Sequence, residues 1–344
     1  MTDKLKQRAL VTGCCGFIGS HLVTVLLEAG WQVDGVDDMS TGSLNNIDHL
    51  RENFKVRVVP VMLMPAFEHA HESERAADTF LAIEGDFCSP AILRRVVNKY
   101  YDVIFHLAAE PSVEISIKNP AQSAFNNLQK TTELMSASVG VIRRFVFASS
   151  AAVYGNQGSQ PVHETTSPSP ASPYALQKLQ VDETGKLFNE LYGFEFVSLR
   201  MFNVYGPRQN GSSAYSTVIA AWCEKIKKGL PLRLDGDGEQ SRDLIYVEDA
   251  CRAFLVSAAY TSTLGYEVFN VGTGVPHTNN YVLDLLGQRW HDLQIESAPE
   301  RKGDIKHSVA NVEKIRQVLD FKETTNFMHG LGLTLKSWGL LDEL

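Results

Sequence analysis

Residues 11–22 read VTGCCGFIGSHL, and the following residues continue as VTVLLEAG to Gly30. An apolar run (Ala9–Thr12) stops at a glycine, glycines recur at 13, 16 and 19, and apolar residues then repeat at helical spacing. That is strand, tight turn and helix in about twenty residues. Glycine lets such a turn close tightly, and it lets a pyrophosphate approach the backbone where the helix begins and its N–H groups point at an anion. The spacing is GxxGxxG, a weak pattern by itself. It gains force from Asp37, which lies 18 residues after Gly19 at the end of the next apolar run. A carboxylate there accepts hydrogen bonds from ribose hydroxyls and repels a 2′-phosphate, which favours NAD over NADP. Gly13, Gly16, Phe17, Ile18, Gly19 and Asp37 are thus candidate cofactor residues.

The basic start KLKQR before an apolar stretch also has the look of a secretory leader. Glycines 13, 16, 19 and 30 and His21 interrupt it, so it reads as the first structural unit of a cytoplasmic protein. Working outward, the strand candidates are Ala9–Thr12, Gln32–Val36, Phe80–Glu84, Val103–His106 and Arg144–Ala148. Helical patterns fill Ile18–Ala29, Pro90–Tyr100 and Pro120–Val139. Strands alternating with helices imply a parallel sheet covered on both faces. A long helix is expected over Tyr174–Tyr192, and Glu195–Met201 returns to the sheet. Beyond Pro207 the segments are short and glycine-punctuated, as in GLPLRLDGDGEQ. The fold class is therefore α/β, a Rossmann-like doubly wound parallel sheet with a smaller interleaved α/β substrate domain. Residues 1–180, completed by roughly 193–205 and 243–272, form the NAD-binding part; 206–242 and 273–344 form the other. Pro60–Asp78 stands out as an insertion where a short connection is expected, and its His69 and His71 are read as solvated.

The 344 residues are 44% hydrophobic and 21% charged, the composition of a globular protein, and no stretch reads as a membrane span. A formal net charge of −8 argues against a nucleic-acid binder. The five cysteines are odd in number and lack metal-ligand spacing, so they read as reduced thiols and no metal is expected.

Residues 172–178, SPYALQK, place Tyr174 and Lys178 one helical turn apart behind a proline. Glycine-flanked GDF (85–87) offers Asp86 either as a turn residue or as a partner for an adenine amino group, with Phe87 beside it. HLAA (106–109) ends the fourth candidate strand in small residues, so Ala108 leaves a cofactor room. With ASSAAVYG, RMFNVYGPRQ, SRDLIYVEDA and ERKGDIKHS, these motifs run nearly from end to end of the chain. Together they resemble the extended short-chain dehydrogenase/reductase family, in its nucleotide-sugar epimerase/dehydratase branch, and are most similar to UDP-N-acetylglucosamine 4-epimerases.

The resemblance implies that Ser150, Tyr174 and Lys178 are the catalytic set. Ser150 bonds the sugar O4, and Tyr174 removes the O4 proton while a hydride leaves C4 for NAD. Lys178 also bonds the nicotinamide ribose. A free tyrosine titrates near 10, too high for a base at neutral pH. The Lys178 ammonium and the positive nicotinamide are expected to lower that value. On the substrate side the resemblance implies Asn203, Arg242 and Arg301 at the diphosphate, since a guanidinium fork suits phosphate oxygens. It also implies Ser112 and Ser308 at the sugar. Asn127 either holds backbone near the site or takes part in it. Family 4,6-dehydratases carry an acid-base pair where this chain has Ala151 and Ala152, which points to 4-epimerisation. A small residue at 308 suits an N-acetyl sugar, with UDP-GlcNAc and UDP-GalNAc the favoured pair. A UDP-hexuronic acid, a dehydratase and a non-catalytic NAD sensor remain as alternatives. The family's homodimer, a four-helix bundle built from Pro120–Val139 and Tyr174–Tyr192, is expected here as well.

Overall fold

The structure, a computed structural model, describes residues 7–65, 79–211, 217–300 and 305–342. Strand β1 (Arg8–Thr12) lies mid-sheet between β2 (Gln32–Asp37) and β5 (Val103–His106), parallel to both. Beyond β2 lie β4 (Thr79–Glu84) and β3 (Lys55–Pro60). Beyond β5 lie β6 (Arg144–Ser150), β7 (Phe196–Met201) and β11 (Tyr266–Val271). All neighbours in this eight-stranded sheet run parallel. The chain winds outward from β1 in one direction and from β5 in the other. The crevice at their carboxyl ends is therefore the topological switch point, where ligands of such sheets bind.

Strand residues alternate between two apolar layers, as the two-residue period of a strand requires. Ala9 and Val11 join the layer containing Leu22, Leu26 and Phe254, whereas Leu10 joins the layer of Ile92, Leu134 and Val181. Helix α1 (Phe17–Glu28) and the helix Val247–Ala259 thus cover one face. The helices Pro90–Val97, Lys130–Ser138 and Pro173–Tyr192 cover the other. Gly185 lets the last of these lie directly on the sheet, since a Cβ there would fall 2.4 Å from the Phe196 ring.

A second sheet joins β10 (Ser241–Tyr246) to β8 (Asn203–Tyr205), β12 (Pro276–Thr278) and β14 (His307–Ser308), and β9 (Leu232–Asp235) pairs with β13 (Ile295–Ala298). Strand β10 spans Ser241–Tyr246, so a division at 242 runs through a strand.

One strand is additional to those expected from sequence, and one expected helix needs correcting. Lys55–Pro60 is an edge strand, although its exposed polar alternation lacks the apolar run of a central strand. Pro120–Val139 is not one regular helix. Pro120–Ala124 is α-helical, Phe125–Gln129 makes a π-helical turn, and the α-helix resumes over Lys130–Ser138. The insertion lies largely outside the described residues, with His69 and His71 among those not described. Among the described residues no helix is long and apolar enough to cross a membrane.

Candidate active site

A cavity of about 1550 Å³ opens at the switch point and runs from the glycine loop to the small sheet. Its cofactor end is made largely of backbone. Gly13 adopts φ +71°, a left-handed conformation that glycine alone takes without strain, and its N–H donates to Val36 O at 2.8 Å. A Cβ on Gly13 would stand 2.9 Å from Ala108 N, and one on Gly19 would stand 1.9 Å from Gly13 O. Gly13, Gly16, Phe17, Ile18, Gly19, Phe87 and Ala108 all line the cavity. Asp37 lines it too, with one carboxylate oxygen accepting from Cys15 N at 2.8 Å and the other from Met39 N at 2.9 Å. Burial raises its pKa, and those loop amides pull it back.

The loop from β5 into the cavity is held by a chain of hydroxyls and one imidazole. Thr12 Oγ1 accepts from Leu107 N and Ala108 N, both at 3.1 Å, and meets His106 Nδ1 at 2.8 Å. On the other side of the ring, Nε2 meets Thr131 Oγ1 at 2.8 Å, and that hydroxyl gives its proton to Asn127 O. The donor count makes Nε2 the protonated nitrogen and Nδ1 the acceptor. Burial and the nearby Lys178 push the His106 pKa down to about 3, which keeps this tautomer neutral.

Asn127 sits on the π-helical turn, whose extra residue per turn re-aims side chains. It accepts from Glu110 N at 2.7 Å and donates to Glu110 O at 3.1 Å and to Gln177 Oε1 at 2.8 Å. The residue therefore holds backbone: it ties the loop at 110 to the helix of Tyr174 and Lys178. Gln177, between those two, went unread in the sequence. Its signal was a polar residue at a position that buries, as were Thr12 and His106 at the ends of apolar strands.

That helix, Pro173–Tyr192, starts as SPYALQK suggests. Ser172 Oγ caps Ala175 N at 3.2 Å, proline takes the first turn, and Gly193 closes the helix at φ +65°. Tyr174 and Lys178 face the cavity with Ser150, which ends β6 and accepts from Ala152 N at 3.1 Å. Lys178 Nζ donates to Ala148 O at 2.8 Å and lies 4.6 Å from the Phe147 ring and 5.8 Å from the Tyr174 ring. Its burial pushes its pKa down to about 8. In the chain alone burial raises the Tyr174 pKa, and the hydrogen bond with Ser150 is what pulls the other way. The lysine is itself desolvated and already bonded to Ala148, which weakens its hold on the phenol in the chain alone.

At the far end Asn203, Arg242 and Ser308 line the cavity, with Arg242 and Ser308 paired in register between β10 and β14. Arg242 donates to Ser241 O at 2.9 Å. Ala151 and Ala152 line the wall beside Ser150. Two expected residues do not line the cavity. Asp86 pairs with Lys130 at 2.7 Å and accepts from Cys88 N at 2.8 Å, and Ser112 is buried as a helix cap, accepting from Ile115 N at 3.0 Å. Arg301 lies outside the described residues. All five cysteines are free thiols. Cys14, Cys15 and Asp37 gather closely enough for a metal, but both thiols are fully buried and neither lines the cavity.

The residues present fit NAD: a cradle that a Cβ would fill, a carboxylate beyond it, and small residues at the end of β5. Comparison with known proteins agrees. The pattern of the NAD dependent epimerase/dehydratase family matches residues 9–272. A UDP-glucose 4-epimerase of Mycolicibacterium smegmatis is 31% identical over 96% of this chain and 98% of its own length. Among solved structures, a UDP-N-acetylglucosamine 4-epimerase from Methanobrevibacter ruminantium, in complex with UDP-N-acetylmuramic acid, is 33% identical with TM-score 0.82, covering 97% of this chain and 98% of that one. The Thermus thermophilus UDP-glucose 4-epimerase complex with NAD is 30% identical with TM-score 0.80, over 97% and 99% of the two chains.

Proposed function

The chain belongs to the NAD-dependent epimerase/dehydratase family, and from that premise we propose that it interconverts UDP-GlcNAc and UDP-GalNAc by inverting C4. A 4-epimerase of UDP-sugars is the coarser statement its relatives support. The observation that carries the reading is the wall around Ser150 and Ser308. Ala151 and Ala152 stand beside the hydroxyl with no acid or base to eliminate water, and Ser308 is a small residue next to Arg242.

In this reading the diphosphate lies at Asn203 and Arg242, with Arg301 a further expected contact, and residues 206–242 and 273–344 carry the nucleotide. Ser150 Oγ bonds the sugar O4 and orients it toward Tyr174. The Tyr174 oxygen takes the O4 proton and later returns it. Lys178, as an ammonium, stabilises the phenolate while the proton is away. NAD, which the glycine loop, Asp37 and Lys178 would hold, would supply the hydride acceptor and donor for C4. Between the two transfers the 4-keto sugar turns over, and Ala151, Ala152 and Ser308 leave space for an N-acetyl group to swing past.

The test is incubation with UDP-GlcNAc followed by anomeric proton NMR, with UDP-glucose and UDP-glucuronate in parallel. UDP-GalNAc is the expected product. Turnover of another sugar alone would move the substrate assignment, and no turnover of any would overturn the enzyme reading. Exposed Leu176, Leu187 and Leu191 form a stripe on the helix Pro173–Tyr192, 45%, 49% and 59% exposed, with Phe125 at 43% on the neighbouring turn. This apolar surface supports a homodimer through these helices, checked by light scattering in solution.

A further inference from the structure

The helix of Tyr174 and Lys178 carries a third ionisable group on the same face. Asp182 follows Lys178 by one turn and its side chain is completely buried. A buried carboxylate is expensive unless it is bonded on several sides. Here the partners come from two strands. From β7, Ser198 Oγ donates at 2.6 Å and Arg200 Nε at 3.0 Å; from β6, Ser149 Oγ donates at 3.2 Å. Ser149 is the residue before Ser150. One carboxylate therefore joins the helix bearing two reacting residues to the strand bearing the third. Asp182 does not line the cavity, so substrate does not touch it.

The ion pair with Arg200 at 3.0 Å accounts for the charge on the strand side, but its placement one turn from Lys178 calls for a second reason. The neighbourhood of Lys178 supplies a reason. Its ammonium is buried against the Phe147 ring and, among the described residues, donates one hydrogen bond, to Ala148 O. From β5 it faces His106, neutral by the donor count above, and on its own helix it faces Tyr174 and Asp182. Around Asp182 stand Arg200 of β7, Tyr154 of the turn after β6 and Tyr266 of β11, both phenols held protonated by burial. Among the described residues, Asp182 is the carboxylate that acts on Lys178 against the cost of burial.

We infer that Asp182 is a positioning residue: its negative charge keeps Lys178 an ammonium beside Tyr174, and its bond to Ser149 sets Ser150 against the same helix. The inference rests on Ser150, Tyr174 and Lys178 being the reacting set. Burial has already brought Lys178 down to about 8. Without the carboxylate the ammonium loses the one charge that favours it, and a neutral amine cannot support a phenolate.

The direct measurement is NMR titration of the full chain labelled at lysine Cε, with Lys178→Met identifying the resonance. Lys178 should titrate near 8 in the parent, about one unit or more lower in Asp182→Asn, and close to the parent in Asp182→Glu. The alkaline limb of kcat for whichever UDP-sugar turns over should move with it, so that Asp182→Asn recovers on acidification. A Lys178 titration that is unchanged in Asp182→Asn overturns the inference at any level of residual activity, because a purely structural role lowers activity at every pH alike. If the parent turns over no UDP-sugar, the functional reading fails while the titration still decides this one. Should Asp182→Asn not fold, Asp182→Ser removes the same charge with a smaller side chain and should give the same downward shift. No shift there is equally fatal.

Discussion

At the Gly13–Gly19 end the cavity wall is largely backbone, drawn from five residues of one short stretch and positioned by hydrogen bonds such as Gly13 N to Val36 O. At the other end the wall is side chains, with Asn203, Arg242 and Ser308 brought in by three different strands of the small sheet. The first end is shaped by main-chain atoms in close contact, so it tolerates almost no added volume. The second presents the tips of side chains, so its chemistry can be retuned one residue at a time. Tyr174, Lys178 and Ser150 stand between them and draw on both.

The sharpest way to separate these parts is Tyr174→Phe. It removes one oxygen and no packing, so kcat should fall by about 10²–10⁴-fold, the usual worth of a positioned general base. NAD content, read from the absorbance of protein denatured after purification, should stay at the parent level. Cofactor loss in that variant would show that the two ends are not independent.

Gly19→Ala probes the backbone-built end in the opposite sense. Its Cβ would fall 1.9 Å from Gly13 O, a main-chain atom with no freedom to withdraw. Overpacking of this kind costs about 1–3 kcal/mol or more, and the loop should lose its grip on NAD. Retained cofactor with an unchanged thermal midpoint would contradict the account of the cradle.

Lys178→Met should expose the cost of burying the ammonium. The folded pKa of about 8 lies below the ordinary 10.5, so the folded chain binds fewer protons than the unfolded one between those values. Stability from this group therefore rises with pH across about 8 to 10.5, and the full penalty applies below 8. The variant should be inactive yet more stable than the parent at pH 7, on the order of 2 kcal/mol once the lost bond to Ala148 is discounted. Urea midpoints should converge toward pH 10; a constant difference would refute the assignment.

Ser308→Tyr is the mildest change and tests the side-chain end alone. Filling the space beside Arg242 should lower kcat/KM for UDP-GlcNAc about tenfold relative to UDP-glucose, in the range typical of steric discrimination. Equal loss for both sugars would remove Ser308 from the sugar chamber.

Much of the sheet was legible before any coordinates. Strands buried on both faces must be apolar throughout, so β1, β4, β5 and β6 announce themselves, and Pro173 with Gly193 brackets the catalytic helix. The edge strand β3 was missed because half of its residues face solvent and leave no apolar run. The π-helical turn was missed because Phe125–Gln129 differs from an α-helix by one hydrogen-bond register, which no residue type specifies. Asp86 and Ser112 were placed by motif, and motif does not say which way a side chain turns: Lys130 holds the one and a helix end holds the other.

The chain's own order of residues determined the strand–turn–helix at VTGCCGFIGSHL, the preference for NAD through Asp37, and the candidate set Ser150, Tyr174 and Lys178. These depend on local conformation and residue type, which neighbouring positions carry. Tertiary structure alone decided the protonation of His106, the clamp of Asn127 on Gln177, and the burial that raises the Tyr174 pKa. It also decided the burial of Asp182 behind Lys178. Each of these depends on how much water is excluded and which group from a distant segment fills its place, and a pKa follows solvent and neighbours rather than sequence spacing.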